Sequence, residues 1–121
     1  GIMGAYVGAL RKITGCIANA KATISGGKDD ESAAGGLAGK LYGNSCNYSA
    51  WNSDSNSGGT SDMIGKNETT SGEPAKGNNS FTSISTLNGL LSGINNGVPT
   101  STYKWEAGSG GTDYPKLVPR N

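Results

Sequence analysis

Few residues in this chain have the types that chemistry needs. None of its 121 residues is a histidine, which removes imidazole as a general base and with it every His-based triad. The carboxylates are Asp29, Asp30, Glu31, Asp54, Asp62, Glu68, Glu73, Glu106 and Asp113. Most stand in Gly/Ser-rich stretches, where a carboxylate is ordinarily solvated. Their spacing places no two of them across a cleft, as glycoside hydrolysis requires. Asp29-Asp30-Glu31 lacks the alternating oxygen ligands of a calcium loop, and two cysteines without a histidine do not make a zinc site. Phosphate-loop and dinucleotide fingerprints are missing as well. The expectation is therefore no enzyme activity, no cofactor and no metal.

Binding chemistry has more to work with. Tyr48, Trp51 and Trp105 offer flat apolar faces with a polar tip, on which a sugar ring can stack. The same residue types also cover the rim of a narrow core, and the sequence leaves both readings open. Cys16 and Cys46 permit either one disulfide or two buried thiols. Glycosylation-type triplets at Asn47, Asn67 and Asn78 are expected by chance in so Asn- and Ser-rich a chain.

The elements that must position these residues come from an internal repeat. Tyr6-Val7-Gly8-Ala9-Leu10 matches Leu37-Ala38-Gly39-Lys40-Leu41, and Ile13-Thr14-Gly15-Cys16-Ile17-Ala18 matches Gly43-Asn44-Ser45-Cys46-Asn47-Tyr48. Gly8 and Gly39 are 31 positions apart, and Cys16 and Cys46 are 30 apart. A worn third copy begins at Asp62-Met63-Ile64-Gly65-Lys66, 26 positions after Gly39. Periods of this size mark units that bury their apolar faces only by stacking on a neighbour. On this basis Leu10 and Leu41 should stack, as should Cys16 and Cys46. Leu37, Leu41 and Cys46 should be core residues, with Ile13, Ile17 and Ile24 on short strands.

Gly-Gly-Leu-Ala-Gly-Lys-Leu followed by a turn and Ser-Cys-Asn-Tyr-Ser resembles the GLUG repeat of bacterial cell-surface proteins. So does Val7-Gly8-Ala9-Leu10 followed by Ile13-Thr14-Gly15-Cys16. Leu87-Asn88-Gly89-Leu90, then Tyr103-Lys104-Trp105 and Tyr114-Pro115-Lys116-Leu117, resemble the segment that closes such arrays in surface proteins of gut Bacteroidetes. The resemblance implies a mainly β protein: a parallel β-solenoid, or β-helix, over residues 1–80, most regular over 4–66. Residues 81–121 would supply a short C-terminal α-helix and a capping hairpin of the same domain. It also implies a non-catalytic structural or adhesion module, extracellular or on the bacterial outer surface. Its partners would be a host or bacterial surface glycan or protein, and neighbouring repeats of a longer parent chain. The alternative function is a glycan-binding accessory domain of a secreted hydrolase; the alternative fold is an antiparallel sandwich.

The tail can be read from its periodicity. Leu87, Leu90, Leu91 and Ile94 fall at i, i+3, i+4 and i+7, which predicts a helix over 84–95 with one apolar face. Ser83 or Ser85 can cap its start and Asn95-Asn96-Gly97 can stop it. Gly89 and Gly93 each cost about 1 kcal/mol relative to alanine, so the helix should depend on packing. Tyr103-Lys104-Trp105 and Tyr114-Pro115-Lys116-Leu117 should form two strands around the turn at Gly108–Gly111, with Trp105 and Leu117 sealing an edge.

Composition agrees with a narrow-cored, turn-rich protein. Leu, Ile, Val and Phe total 18 of 121 residues, and glycine alone contributes 21. A net charge of +1 gives no basic face for nucleic acid. No apolar run approaches the roughly 20 residues of a membrane span. The chain opens at Gly1-Ile2-Met3-Gly4, inside a repeat, and reads as a piece of a longer protein.

Overall fold

The computed structural model describes residues 12–24, 33–41, 46–68 and 75–121, together with the backbone of 3–5. Among the described residues, ten short strands and one α-helix succeed one another. They are β1 (Met3–Ala5), β2 (Ile13–Thr14), β3 (Ile17–Ala18), β4 (Ala38–Leu41), β5 (Cys46–Asn47), β6 (Ala50–Asn52), β7 (Ile64–Asn67), β8 (Asn79–Phe81), α1 (Ile84–Gly97), β9 (Tyr103–Glu106) and β10 (Lys116–Pro119). The strands form parallel sheets in the orders β1-β4-β7, β2-β5 and β3-β6-β8, and one antiparallel pair, β9-β10.

The expected parallel β-solenoid is corrected by this arrangement. Among the described residues there are small parallel sheets, one antiparallel pair and one helix, and no closed or solenoid sheet. Two features of the sequence account for it. The strands are two to four residues long, and the spacing between partners changes from one ladder to the next. Met3 faces Ala38, whereas Ala38 faces Ile64; Ile17 faces Ala50, whereas Ala50 faces Asn79. Strands this short, at spacings that change from ladder to ladder, give separate small sheets. The antiparallel sandwich fails too, because antiparallel pairing is confined to the β9-β10 hairpin among the described residues.

The third copy does pair at the spacing of 26, with Ala38 opposite Ile64 and Lys40 opposite Lys66. The cysteines do not stack as expected. Cys46 faces Ile13, and Cys16 instead donates its backbone N–H to Ser49 Oγ at 3.1 Å. Both thiols are free. Ile24 lies outside any strand and is 54% exposed. The Leu10–Leu41 and Gly8–Gly39 pairings, the Tyr6–Leu10 half-repeat and Asp29-Asp30-Glu31 fall outside the described residues.

Two apolar clusters flank the β3-β6-β8 sheet. The first holds Ile13, Ala18, Leu37, Ala38, Leu41 and Cys46, with Trp51 packed against it. The second holds Ala50, Phe81, Leu87, Leu91 and Ile94, with Ile17, Leu90 and Trp105. Alternation along a strand sends neighbouring side chains to opposite faces, so Ala50 turns to α1 and Trp51 to the first cluster. A parallel sheet of such short strands is viable because both faces are covered. Burying a leucine here contributes about 1.5–3 kcal/mol.

Helix α1 follows its sequence pattern, two residues longer than expected. Ser83 is the N-cap, its Oγ accepting from Thr86 N at 3.1 Å. Leu87, Leu91 and Ile94 are buried. The C-terminal end is held from outside: Arg120 donates from Nη2 to the carbonyls of Asn95 (3.2 Å) and Val98 (3.3 Å). A cation there satisfies orphan carbonyls at the negative end of the helix dipole. Asn95 grips the hairpin in turn, accepting from Trp105 N and donating to Trp105 O, both at 2.8 Å. Trp105 thus packs on the second cluster rather than sealing the edge of a solenoid. Leu117, in register with it, is 55% exposed and seals nothing. It lies on the outer strand of the hairpin, whose partner takes the inward position.

Candidate binding groove

A corner of the backbone recurs three times in contact with itself. Gly15 (φ +67°), Tyr48 (φ +50°) and Gly77 (φ +72°) all have left-handed backbone. Hydrogen bonds place them one on the next: Gly15 N donates to Asn47 O at 3.3 Å, and Tyr48 N donates to Lys76 O at 3.0 Å. Glycine is the usual occupant of such a corner, and a bulky side chain there is uncommon. Tyr48 is the only non-glycine with positive φ among the described residues.

The side chain of Tyr48 is fitted closely. A Cβ at Gly77 or at Gly97 would overlap its ring, so the two glycines give the aromatic its place between the corner and the end of α1. Lys76 holds its ammonium 5.9 Å from the ring centroid, within reach of a cation–π attraction. Below the corner, Asn78 does the work of a strand. Its Nδ2 donates to Cys46 O at 2.6 Å, and its Oδ1 accepts from Ser49 N at 3.1 Å.

Tyr48 borders a groove of about 300 Å³, lined also by Gly77, Asn79, Gly89, Leu90, Ser92, Gly93 and Ile94. Asn79 lies on the α1-facing side of β8, two residues before the buried Phe81. Leu90 and Ile94 give an apolar floor, while Asn79 and Ser92 are exposed polar groups. A Cβ built at Gly89 or Gly93 would have nothing within 4 Å.

Of the three aromatics singled out by sequence, Tyr48 alone lines this groove. Trp51 lies across the sheet, against Gly36, with Nε1 donating to Ser61 O at 3.3 Å. Trp105 Nε1 donates to Gly15 O at 2.9 Å. Both tryptophans are half-buried and serve the two clusters, so they do not form one platform with Tyr48. Asn79, Ser92 and the helix glycines were not recognisable as site residues beforehand. The one available signal was a pair of glycines, four apart, inside a strongly patterned helix.

Several other chemistry-bearing groups have structural roles. Glu68 lies 3.4 Å from Lys40 and 3.9 Å from Lys66, offsetting two lysines that face each other in register. Asp54 caps a 3₁₀ turn at Ser55–Ser57 through its Oδ1. Burial raises the pKa of both thiols, that of Cys46 to about 12, which keeps them protonated and poor nucleophiles. Among the described residues no three His, Cys, Asp or Glu gather as metal ligands, and no helix is long and apolar enough to cross a membrane. In comparisons with known proteins, no family model, curated protein or solved structure matches the chain.

Proposed function

We propose that this chain is a non-catalytic binding module of a bacterial cell-surface or secreted protein, acting by adhesion rather than turnover. The observation that carries the reading is Tyr48, an aromatic in a left-handed corner bordering an open, mixed polar and apolar groove. Concave sites with a few placed polar groups on an apolar lining are the ordinary form of binding sites. The likeness to GLUG repeats supports the cell-surface setting. A glycan-binding accessory domain of a secreted hydrolase is the second reading, favoured by the same groove.

The test is retention of the purified chain on immobilised polysaccharides and surface glycoproteins, with product analysis of the same ligands. Saturable retention with the ligand recovered intact is expected. Turnover that one Asp or Glu substitution abolishes would overturn the reading.

A further inference from the structure

We infer that the Tyr48 groove is a subsite for one neutral pyranose ring, stacked on Tyr48 with its hydroxyls read by Asn79 and Ser92. The inference rests on the binding-module reading and adds the ligand class. Three features of the groove select that class.

Size is the first. At about 300 Å³ the groove stands at the lower end of ligand sites, which span roughly 300–1,000 Å³. That suits a single ring rather than an extended peptide. Lining is the second. A pyranose presents an apolar C–H face and a rim of hydroxyls. Tyr48, Leu90 and Ile94 supply apolar surface for the face, and Asn79 and Ser92 supply donors and acceptors for the rim. Asn79 Nδ2 makes only a long contact, 3.4 Å to Gly77 O, and its side chain is exposed, so it is free to turn to a ligand. Charge is the third. No charged side chain lines the groove, so a neutral ligand leaves no ion without a partner. Lys76 stands by the ring of Tyr48 but outside the lining.

The groove exists because two helix positions have no side chain. The Cβ positions of Gly89 and Gly93 touch nothing, and alanine would make a better helix at both. Filling the groove is therefore separable from damaging the fold.

The experiment is a backbone-amide NMR titration of the whole chain with methyl glucopyranoside, methyl galactopyranoside, methyl mannopyranoside and methyl glucuronide. At least one neutral glycoside should shift the amides of Gly77, Asn79, Gly89 and Gly93 saturably. Tyr48→Phe should keep that binding. Tyr48→Asn, which tolerates the left-handed corner, should weaken it by about tenfold or more. Gly93→Leu should abolish it with no fall in the melting temperature. Absence of saturable shifts with the neutral glycosides, shifts only with the glucuronide, or unchanged binding by Gly93→Leu would each overturn the inference. If the chain is retained on polysaccharides but the glycosides leave the groove untouched, the binding-module reading stands and the subsite fails. If the glycosides bind but nothing retains the chain, the adhesive reading fails instead.

Discussion

The helix offers a prediction that separates two leucines one turn apart. Leu87 is fully buried, at 0% exposure, against Ala50 and Phe81 of the sheet. Leu90 is only partly buried, because one side of it borders the groove. Leu87→Ala removes a side chain from a site with no room to collapse and should cost about 2–5 kcal/mol. Leu90→Ala exposes little that is not already wet and should cost about 1 kcal/mol. A chain of this length has a total stability of only about 6–18 kcal/mol, so the first change is severe and the second mild. Gly89→Ala and Gly93→Ala place their methyls in open space and should each restore about 1 kcal/mol. The triple variant with Leu87→Ala should therefore recover much of the loss. Urea unfolding followed by far-UV circular dichroism and by tryptophan fluorescence measures all of these. Trp105, packed on the same cluster, reports on α1 directly. If Leu90→Ala proved as damaging as Leu87→Ala, or the glycine replacements destabilised, the assignment of helix faces would be wrong.

Two further predictions concern the corner and the core. Gly77→Ala should destabilise by more than the roughly 1–2 kcal/mol of a left-handed alanine, because its methyl also overlaps the Tyr48 ring. Gly58→Ala, at φ +90° with nothing nearby, should cost the backbone component alone; equal losses in urea melts would show that Gly77 and Tyr48 are not packed together. Cys46 has its pKa raised from 9.0 to about 12, first by burial and then by the neighbouring Cys16 thiol. The folded state thus holds a proton that the unfolded state releases, so this contribution is complete below pH 9 and is lost as pH rises toward 12. The slope is about 1.4 kcal/mol per pH unit, and the difference between the protein and Cys46→Ala across pH 8–11 isolates it from tyrosines and lysines. Parallel pH profiles for the two would refute it.

How much of this was legible beforehand varied along the chain. Helix α1 and the apolar set Leu87, Leu90, Leu91 and Ile94 follow from local periodicity, which needs no knowledge of the rest, whereas the choice of Ser83 over Ser85 as cap and the partial exposure of Leu90 come from the structure. The hairpin strands also follow from local turn chemistry. Register across the parallel strands does not. Aligning the copies on Cys16 and Cys46 gives a spacing of 30, whereas Ile13 faces Cys46 and Ile17 faces Ala50. The true equivalence runs through the left-handed corner, where Gly15 matches Tyr48. Tyrosine is so unusual there that the sequence hides the match. Asn78 was equally opaque, since a single side chain bridging Cys46 O and Ser49 N leaves no strand pattern. The groove could not be read at all, because it joins a corner at residue 48 to a helix face at 89–94.

That junction is where local preferences are overruled, at the corner with a packing gain and on the helix without one. Tyr48 has a structural explanation, since its ring locks the end of α1 against the corner through Gly77 and Gly97. The same explanation does not extend to Gly89 and Gly93. Neither has positive φ, neither allows a close approach of backbone, and a methyl on either would meet nothing. Alanine at both would strengthen a helix whose first turn has no acidic residue and whose last has no basic one. Sequences that specify one structure agree with themselves at each level, and exceptions concentrate at functional sites. Here the exceptions on the helix border the same open volume as the aromatic at the corner, and occupancy of that volume is the reading that accounts for the glycines.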